Sequence, residues 1–221
     1  VNLTGDRHGG SAVDYTVNCE VGFPYLTGTG DEPVNHVLAA WDVITGQTLA
    51  LGLLAAERHR RKTGAGQFVQ LALADVALAT LGHLGFIAEA QIDGERDACG
   101  NYLYGAYGKD FVTADDRRVM IVGLTGNQWN AIRKATGLGD ALDQLGARLG
   151  LDLRAEGNRF RAREQITGML APWFAAHSFA EVRARLDEHG VCWGKYQSVG
   201  ELVAPDPECS PANPLFNEIE Q

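Results

Sequence analysis

The chain has 221 residues, 45% apolar and 21% charged, with 19 Lys and Arg against 28 Asp and Glu, a formal charge of −9 and an isoelectric point near 5.1. These values describe a globular chain long enough for a sizeable core. They argue against nucleic acid as the main partner, because phosphate binding needs a basic surface; a small anionic ligand needs only a local cationic or amide-lined pocket.

In chain order, Val1-Asn2-Leu3-Thr4-Gly5 reads as the end of a buried strand entering a glycine turn. Nothing at the start reads as a secretory leader. The closing residues stop as an apolar alternation begins at Pro214-Leu215-Phe216, so both ends are expected to be cut. Residues 6–40 are rich in glycine and turn formers and predict a long loop with one short helix at 14–22. A clear helix is predicted over 42–61: it opens on Asp42, closes on Arg58, His59, Arg60, Arg61 and Lys62, and has Gly64 beyond, the charge order and stop signal that a helix favours. Its apolar run, 43–56, is shorter than the ~20 residues of a membrane span and is interrupted by Thr45, Gln47 and Thr48. We read it as a buried helix, with no membrane partner.

A strand is predicted at 67–73 and a second helix at 75–91, with Asp75 as its cap. Helix, glycine turn, strand, helix is the rhythm of an α/β layer. Residues 92–100 break the pattern and read as a linker. Beyond them the pattern is α+β: a hairpin at 110–113 and 118–124 around Asp115-Asp116, then helices near 126–136, 139–149 and 159–176. Ser178-Phe179-Ala180-Glu181 is a capping box for a helix ending before Gly190, 191–196 is a strand, and Ser198-Val199-Gly200-Glu201 is a second capping box.

For chemistry, Asp42 is the first candidate. A carboxylate where an exposed loop enters a helix feels the positive helix end, which favours a charged nucleophile; the same position equally suits an acid that only caps the helix. Thr27-Gly28-Thr29-Gly30 lacks a third glycine and does not run from strand to helix, so it reads as a flexible loop rather than a phosphate cradle. The basic run 58–62 is what a helix C-terminus prefers. Among the histidines, His8, His36, His59, His83, His177 and His189, no metal-ligand spacing occurs; His83 reads as a packed core residue, and His36, six residues before Asp42, is a candidate site contact. The four cysteines, Cys19, Cys99, Cys192 and Cys209, form no C-x-x-C pair; neither a zinc site nor a disulfide framework is expected, and a reducing, cytoplasmic compartment fits. Gly100-Asn101-Tyr102-Leu103-Tyr104-Gly105-Ala106-Tyr107-Gly108 lies at the boundary between the two patterns, where tyrosines serve either a cleft or a rigid linker.

Taken together, Trp41-Asp42-Val43-Ile44-Thr45-Gly46, Arg60-Arg61-Lys62-Thr63-Gly64-Ala65-Gly66-Gln67 and Leu73-Ala74-Asp75-Val76 resemble the family III coenzyme A transferases. Val13-Asp14-Tyr15-Thr16, Tyr104-Gly105-Ala106-Tyr107, Ser178-Phe179-Ala180-Glu181-Val182 and the end of the chain are similar too, so the resemblance covers nearly the whole sequence. It implies an α/β fold: part of a Rossmann-like large domain at 1–100, a smaller α+β domain at 101–197, and a segment, 198–221, returning toward the large domain. It implies that Asp42 attacks an acyl-CoA thioester to give a mixed anhydride and then an aspartyl-CoA thioester, with no metal and no cofactor beyond the CoA substrate. It further implies substrate or CoA contacts at Tyr15, His36, Asn101, Tyr102, Tyr104 and Gly105, and an interlaced homodimer in the longer protein. Val34-Asn35-His36-Val37-Leu38, Gly100 to Gly105, Gly146 to Leu151 and Arg159-Phe160-Arg161-Ala162-Arg163 carry a finer similarity, to members that move CoA between the two carboxylates of mesaconate. The alternatives are transfer between two different acids and a non-catalytic binding or assembly segment. A sister group of racemases has a histidine where Val13 stands; an apolar side chain carries no proton, so racemisation ranks below transfer.

Overall fold

The computed structural model describes residues 11–30, 32–94, 96–203 and 207–215; the strand expected at 1–5, His8 and the residues from Phe216 lie outside them. Contacts divide the chain into two units, Val1–Gly100 and Asn101–Gln221. In the second unit Arg117 reaches Glu201 at 3.2 Å.

The first unit is built on α1 (Asp14–Glu20), α2 (Phe23–Leu26), α3 (Ala40–Thr63), α4 (Leu73–His83) and α5 (Phe86–Ile92). Helix α3 ends as its sequence predicts, on Arg60, Arg61 and Lys62 with Gly64 at φ 75° closing the last turn. Glycine takes that left-handed conformation without the Cβ clash other residues meet. The unit's core joins Val17, Val21, Trp41, Leu73, Ala74, Ala77 and Leu81.

Four expectations are corrected here. No strand forms at 67–73, and Phe68 is 90% exposed: a strand's hydrogen bonds lie between strands, and no second strand lies beside it among the described residues. The helix read over 75–91 breaks at Gly85, φ 82°, into α4 and α5, and Asp75 sits in the first turn of α4 instead of capping it. Its last residue, His83, is exposed, not packed in the core. The run 43–56 is not buried either. Only Trp41 of α3 is, and Leu51, Leu53 and Leu54 are each about two-thirds exposed, because α1 and α4 cover only part of the helix.

The second unit follows its pattern closely. Strands β1 (Tyr107–Val112), β2 (Arg118–Gly123) and β3 (Cys192–Lys195) form one antiparallel sheet in that order, with Tyr107 opposite Gly123 and Ile121 opposite Trp193. The hairpin turns at Asp115-Asp116, where Asp116 takes φ 57° and the Thr113 hydroxyl donates to Asp115 Oδ1 at 2.7 Å. Alternate residues of β2, Val119 and Ile121, are buried under α6 (Gly126–Thr136), α9 (Arg163–Ala176) and α10 (Phe179–Glu188). Phe111 stacks on Phe174 with ring centroids 4.3 Å apart. Helix α7 (Gly139–Leu149) contributes Leu142 and Leu145. The helix read at 159–176 is two, α8 (Glu156–Arg161) and α9, meeting at Ala162. Both capping boxes form, Ser178 with Glu181 on α10 and Ser198 with Glu201 on α11 (Val199–Val203).

Candidate active site

Helix α3 starts without help from its own N-cap: Ala39 has no side chain that accepts a hydrogen bond. The first N–H groups of a helix need acceptors, and here one comes from α1. Asp14 Oδ2 accepts the backbone N–H of Trp41, the second helical residue, at 2.6 Å, the bond that an N-cap side chain ordinarily makes. Asn18, four residues on along the same face of α1, accepts the indole Nε1–H of Trp41 on Oδ1 at 3.1 Å. Both acceptors are buried, at 2% and 1% exposure. Phe23 packs on the indole with centroids 5.1 Å apart.

The orientation of Asn18 follows from chemistry. The indole N–H can only donate, so the Asn18 atom facing it is the oxygen. His36 Nε2 lies 3.0 Å from that same oxygen and must carry the proton of the neutral ring. The Asn18 amide then donates to Asn35 Oδ1 at 2.9 Å. His36 Nδ1 and Asp14 Oδ1 are buried without a partner among the described residues.

Asp42 follows directly. It lies in the first turn of α3, is exposed, and has no side-chain hydrogen bond among the described residues. The helix N-terminus favours a negative group there. Chemically this is an accessible carboxylate on a rigidly anchored helix start, which suits a nucleophile.

Of the other expected site residues, His36 joins this network through Asn18 and stands edge-on to Trp41. Tyr15 lies on α1 beside Asp14 with its side chain about half exposed. Val13, at the start of α1, is exposed and offers no group for proton transfer. The remaining four gather in the second unit. Tyr102 donates its hydroxyl to Glu164 Oε2 at 2.9 Å and lies 3.1 Å from Thr167 Oγ1, with Lys109 Nζ 4.6 Å from its ring centroid. Burial pushes the Tyr102 hydroxyl above the ordinary tyrosine value, and the Glu164 carboxylate adds to the rise. Tyr104 packs edge-on to Phe160 at 4.9 Å. Gly105 turns the chain into β1 at φ 77°.

Asn101 bonds the buried Asp110, which also pairs with Arg118 and Lys109. Burial alone would raise the Asp110 carboxyl, but Arg118, Asn101 and Lys109 outweigh it and hold the carboxyl below the ordinary value of 3.8. A carboxyl lowered on folding stabilises the fold above its unfolded value and loses that contribution as pH falls through its folded value. Urea unfolding followed down through pH 3.8 is therefore expected to show a steeper loss of stability in the native protein than in Asp110→Asn; parallel profiles would show that Asp110 contributes nothing.

Sequence reasoning missed Asp14, Asn18 and Asn35. The signal available was only that Asp14 and Asn18 share a helix face; their burial is a tertiary fact. In the 27–30 loop, Gly28 O accepts the Gly100 N–H at 2.6 Å and a Cβ on Gly28 would come within 2.9 Å of Val34. A cleft of about 320 Å³ in the first unit, lined by Val21, Leu26, Leu81, Phe86 and Ile87 with the Glu89–Arg96 pair, does not include Asp42. No group of three or more metal-ligating side chains occurs among the described residues, and no single helix among them is long and apolar enough to cross a membrane.

Comparison with known proteins gives these geometries a context. Residues 2–217 match the family model described as CoA-transferase family III. The chain is 59% identical to 2-methylfumaryl-CoA isomerase of Chloroflexus aurantiacus over all of its own length and 55% of that protein. It is 28% identical to succinyl-CoA:mesaconate CoA-transferase of Haloarcula marismortui, over 78% of this chain and 42% of that one. The chain thus spans about half the length of the curated relatives it matches. In fold it resembles a CAIB/BAIF family protein from Brucella suis, with a TM-score of 0.67 at 22% identity over 91% of this chain and 52% of that one.

Proposed function

The chain belongs to CoA-transferase family III, and from that premise we propose that it carries the nucleophile, Asp42, of an enzyme that moves CoA between the two carboxylates of 2-methylfumarate (mesaconate). The observation that carries this reading is the exposed Asp42 carboxyl one residue beyond the doubly held Trp41. The 59% identity to an isomerase of this substrate supports the choice of acid.

In the proposed reaction an Asp42 oxygen attacks the thioester carbonyl carbon and the C–S bond breaks, giving a mixed anhydride and CoA thiolate. The thiolate attacks the aspartyl carbonyl and displaces the free dicarboxylate, leaving an aspartyl-CoA thioester. The second carboxylate of the same acid then attacks that thioester, and the two steps run in reverse. No proton is gained or lost overall. The benefit is that one difficult exchange becomes a series of acyl transfers. Neither a metal nor a redox cofactor takes part. We place the enzyme in the cytoplasm, as an interlaced homodimer in its longer form.

The test is incubation of the protein as its gene encodes it with the C1 thioester of mesaconate, followed by separation of the C1 and C4 isomers. The expected result is C4 thioester formed without any added acid. Formation of product only when a second carboxylic acid is supplied would replace the intramolecular reading with transfer between different acids, and no product under either condition would remove both.

A further inference from the structure

Asp42 has no side-chain hydrogen bond of its own among the described residues, so its position depends on how firmly the start of α3 is held. Helix ends fray, and their first N–H groups are the weakest points. Here the helix start is fastened from outside. Asp14 takes the backbone N–H of Trp41 at 2.6 Å, and Asn18 takes its indole N–H at 3.1 Å. The two bonds meet at one residue from two directions, one on the main chain and one at the far end of the side chain, so they restrict rotation as well as translation. Both acceptors are nearly inaccessible to water, which strengthens each bond.

We propose that Asp14 and Asn18 are positioning residues that set the place of the Asp42 carboxyl by gripping both N–H groups of Trp41. This rests on the reading of Asp42 as nucleophile. The clamp acts through the backbone of residue 41 and touches no substrate. Its loss lets the first turn of α3 shift, and a displacement of about 1 Å at a reacting group costs on the order of 10²-fold in rate.

The test uses Asp14→Ala, Asp14→Asn, Asn18→Leu and Asp42→Ala in the protein as its gene encodes it, with the mesaconyl-CoA thioester as probe. The readouts are the single-turnover rate of aspartyl-CoA formation, trapped with hydroxylamine, and KM for the thioester. Asp14→Ala is expected to form the adduct about 10- to 100-fold more slowly, with KM within about twofold, a split that general loss of fold would not produce. Asp14→Asn keeps an oxygen that can accept the same N–H and is expected to stay within about threefold of the parent rate. Asn18→Leu leaves the backbone bond intact and keeps the proposal testable should Asp14→Ala fail to fold; it is expected to be about tenfold slower. Adduct formation at the parent rate in either Asp14→Ala or Asn18→Leu overturns the clamp, as does an Asp14→Asn variant as slow as Asp14→Ala. Adduct formation by Asp42→Ala would overturn the reading beneath it instead.

Discussion

Asp42→Ala is expected to abolish CoA exchange, by about 10⁴-fold or more, since the covalent route has no other carrier once the nucleophile is gone. Asp42→Asn should be nearly as inactive, because an amide oxygen is a poor nucleophile, while leaving the shape of the helix start unchanged. Asp42→Glu keeps the carboxylate but moves it by the length of one methylene. A near-attack arrangement tolerates little displacement, so a loss of about 10²-fold or more is expected. The three variants together separate the charge from its position. Measurement of isomer formation and of the hydroxylamine-trapped adduct in each checks this; an Asp42→Ala protein that still exchanges CoA at the parent rate would end the covalent reading. Stability should change little in all three, because the side chain is exposed and bonds no described residue.

The largest effect on stability is expected at Arg159, in the second unit. Its guanidinium is fully buried yet has no carboxylate partner among the described residues; it donates to the backbone carbonyls of Leu153, Arg154 and Leu124 at 3.0, 2.8 and 2.8 Å, and lies 5.6 Å from the ring centroid of Trp129. Burial pushes its pKa below the ordinary arginine value, partly offset by Glu156. The group fastens two irregular segments, the exit of β2 and the loop before α8, whose carbonyls have no ladder or helix to bond. Arg159→Met keeps the length of the apolar stem and removes every donor. Leaving these carbonyls unsatisfied should cost about 3–5 kcal/mol, read as a urea midpoint lowered by roughly 2 M. Arg159→Lys keeps the charge but cannot span three acceptors with one compact head group, so an intermediate loss is expected. A midpoint for Arg159→Met within error of the parent would refute this account.

Much of the second unit, and the end of α3 in the first, was legible because the signals are local. The Ser178 and Ser198 capping boxes, the Gly64 stop on α3 and the Asp115-Asp116 turn each draw on residues within a few positions of one another, so spacing alone predicts them. The split of 159–176 at Ala162 and of 75–91 at Leu84-Gly85 was missed because apolar periodicity continues across a break of one or two residues. The strand expected at 67–73 shows the opposite limit. Apolar, β-prone residues describe what a segment can do, but a strand exists only where another strand offers its hydrogen bonds.

The order of motifs from Trp41 to Val76, set beside the pattern of a known family, was sufficient to place the chain in CoA-transferase family III, and the reading of Asp42 as nucleophile rests on that resemblance. Identity and spacing do not state which groups are withdrawn from water. Asp14 and Asn18 are ordinary polar residues of a short helix until the fold buries them against Trp41, 27 and 23 residues further along the chain. The same is true of Arg159, one more cation in a basic stretch until three carbonyls from two loops close around it. Tertiary structure decided these roles because burial turns a hydrogen bond that water could replace into one that nothing else can make.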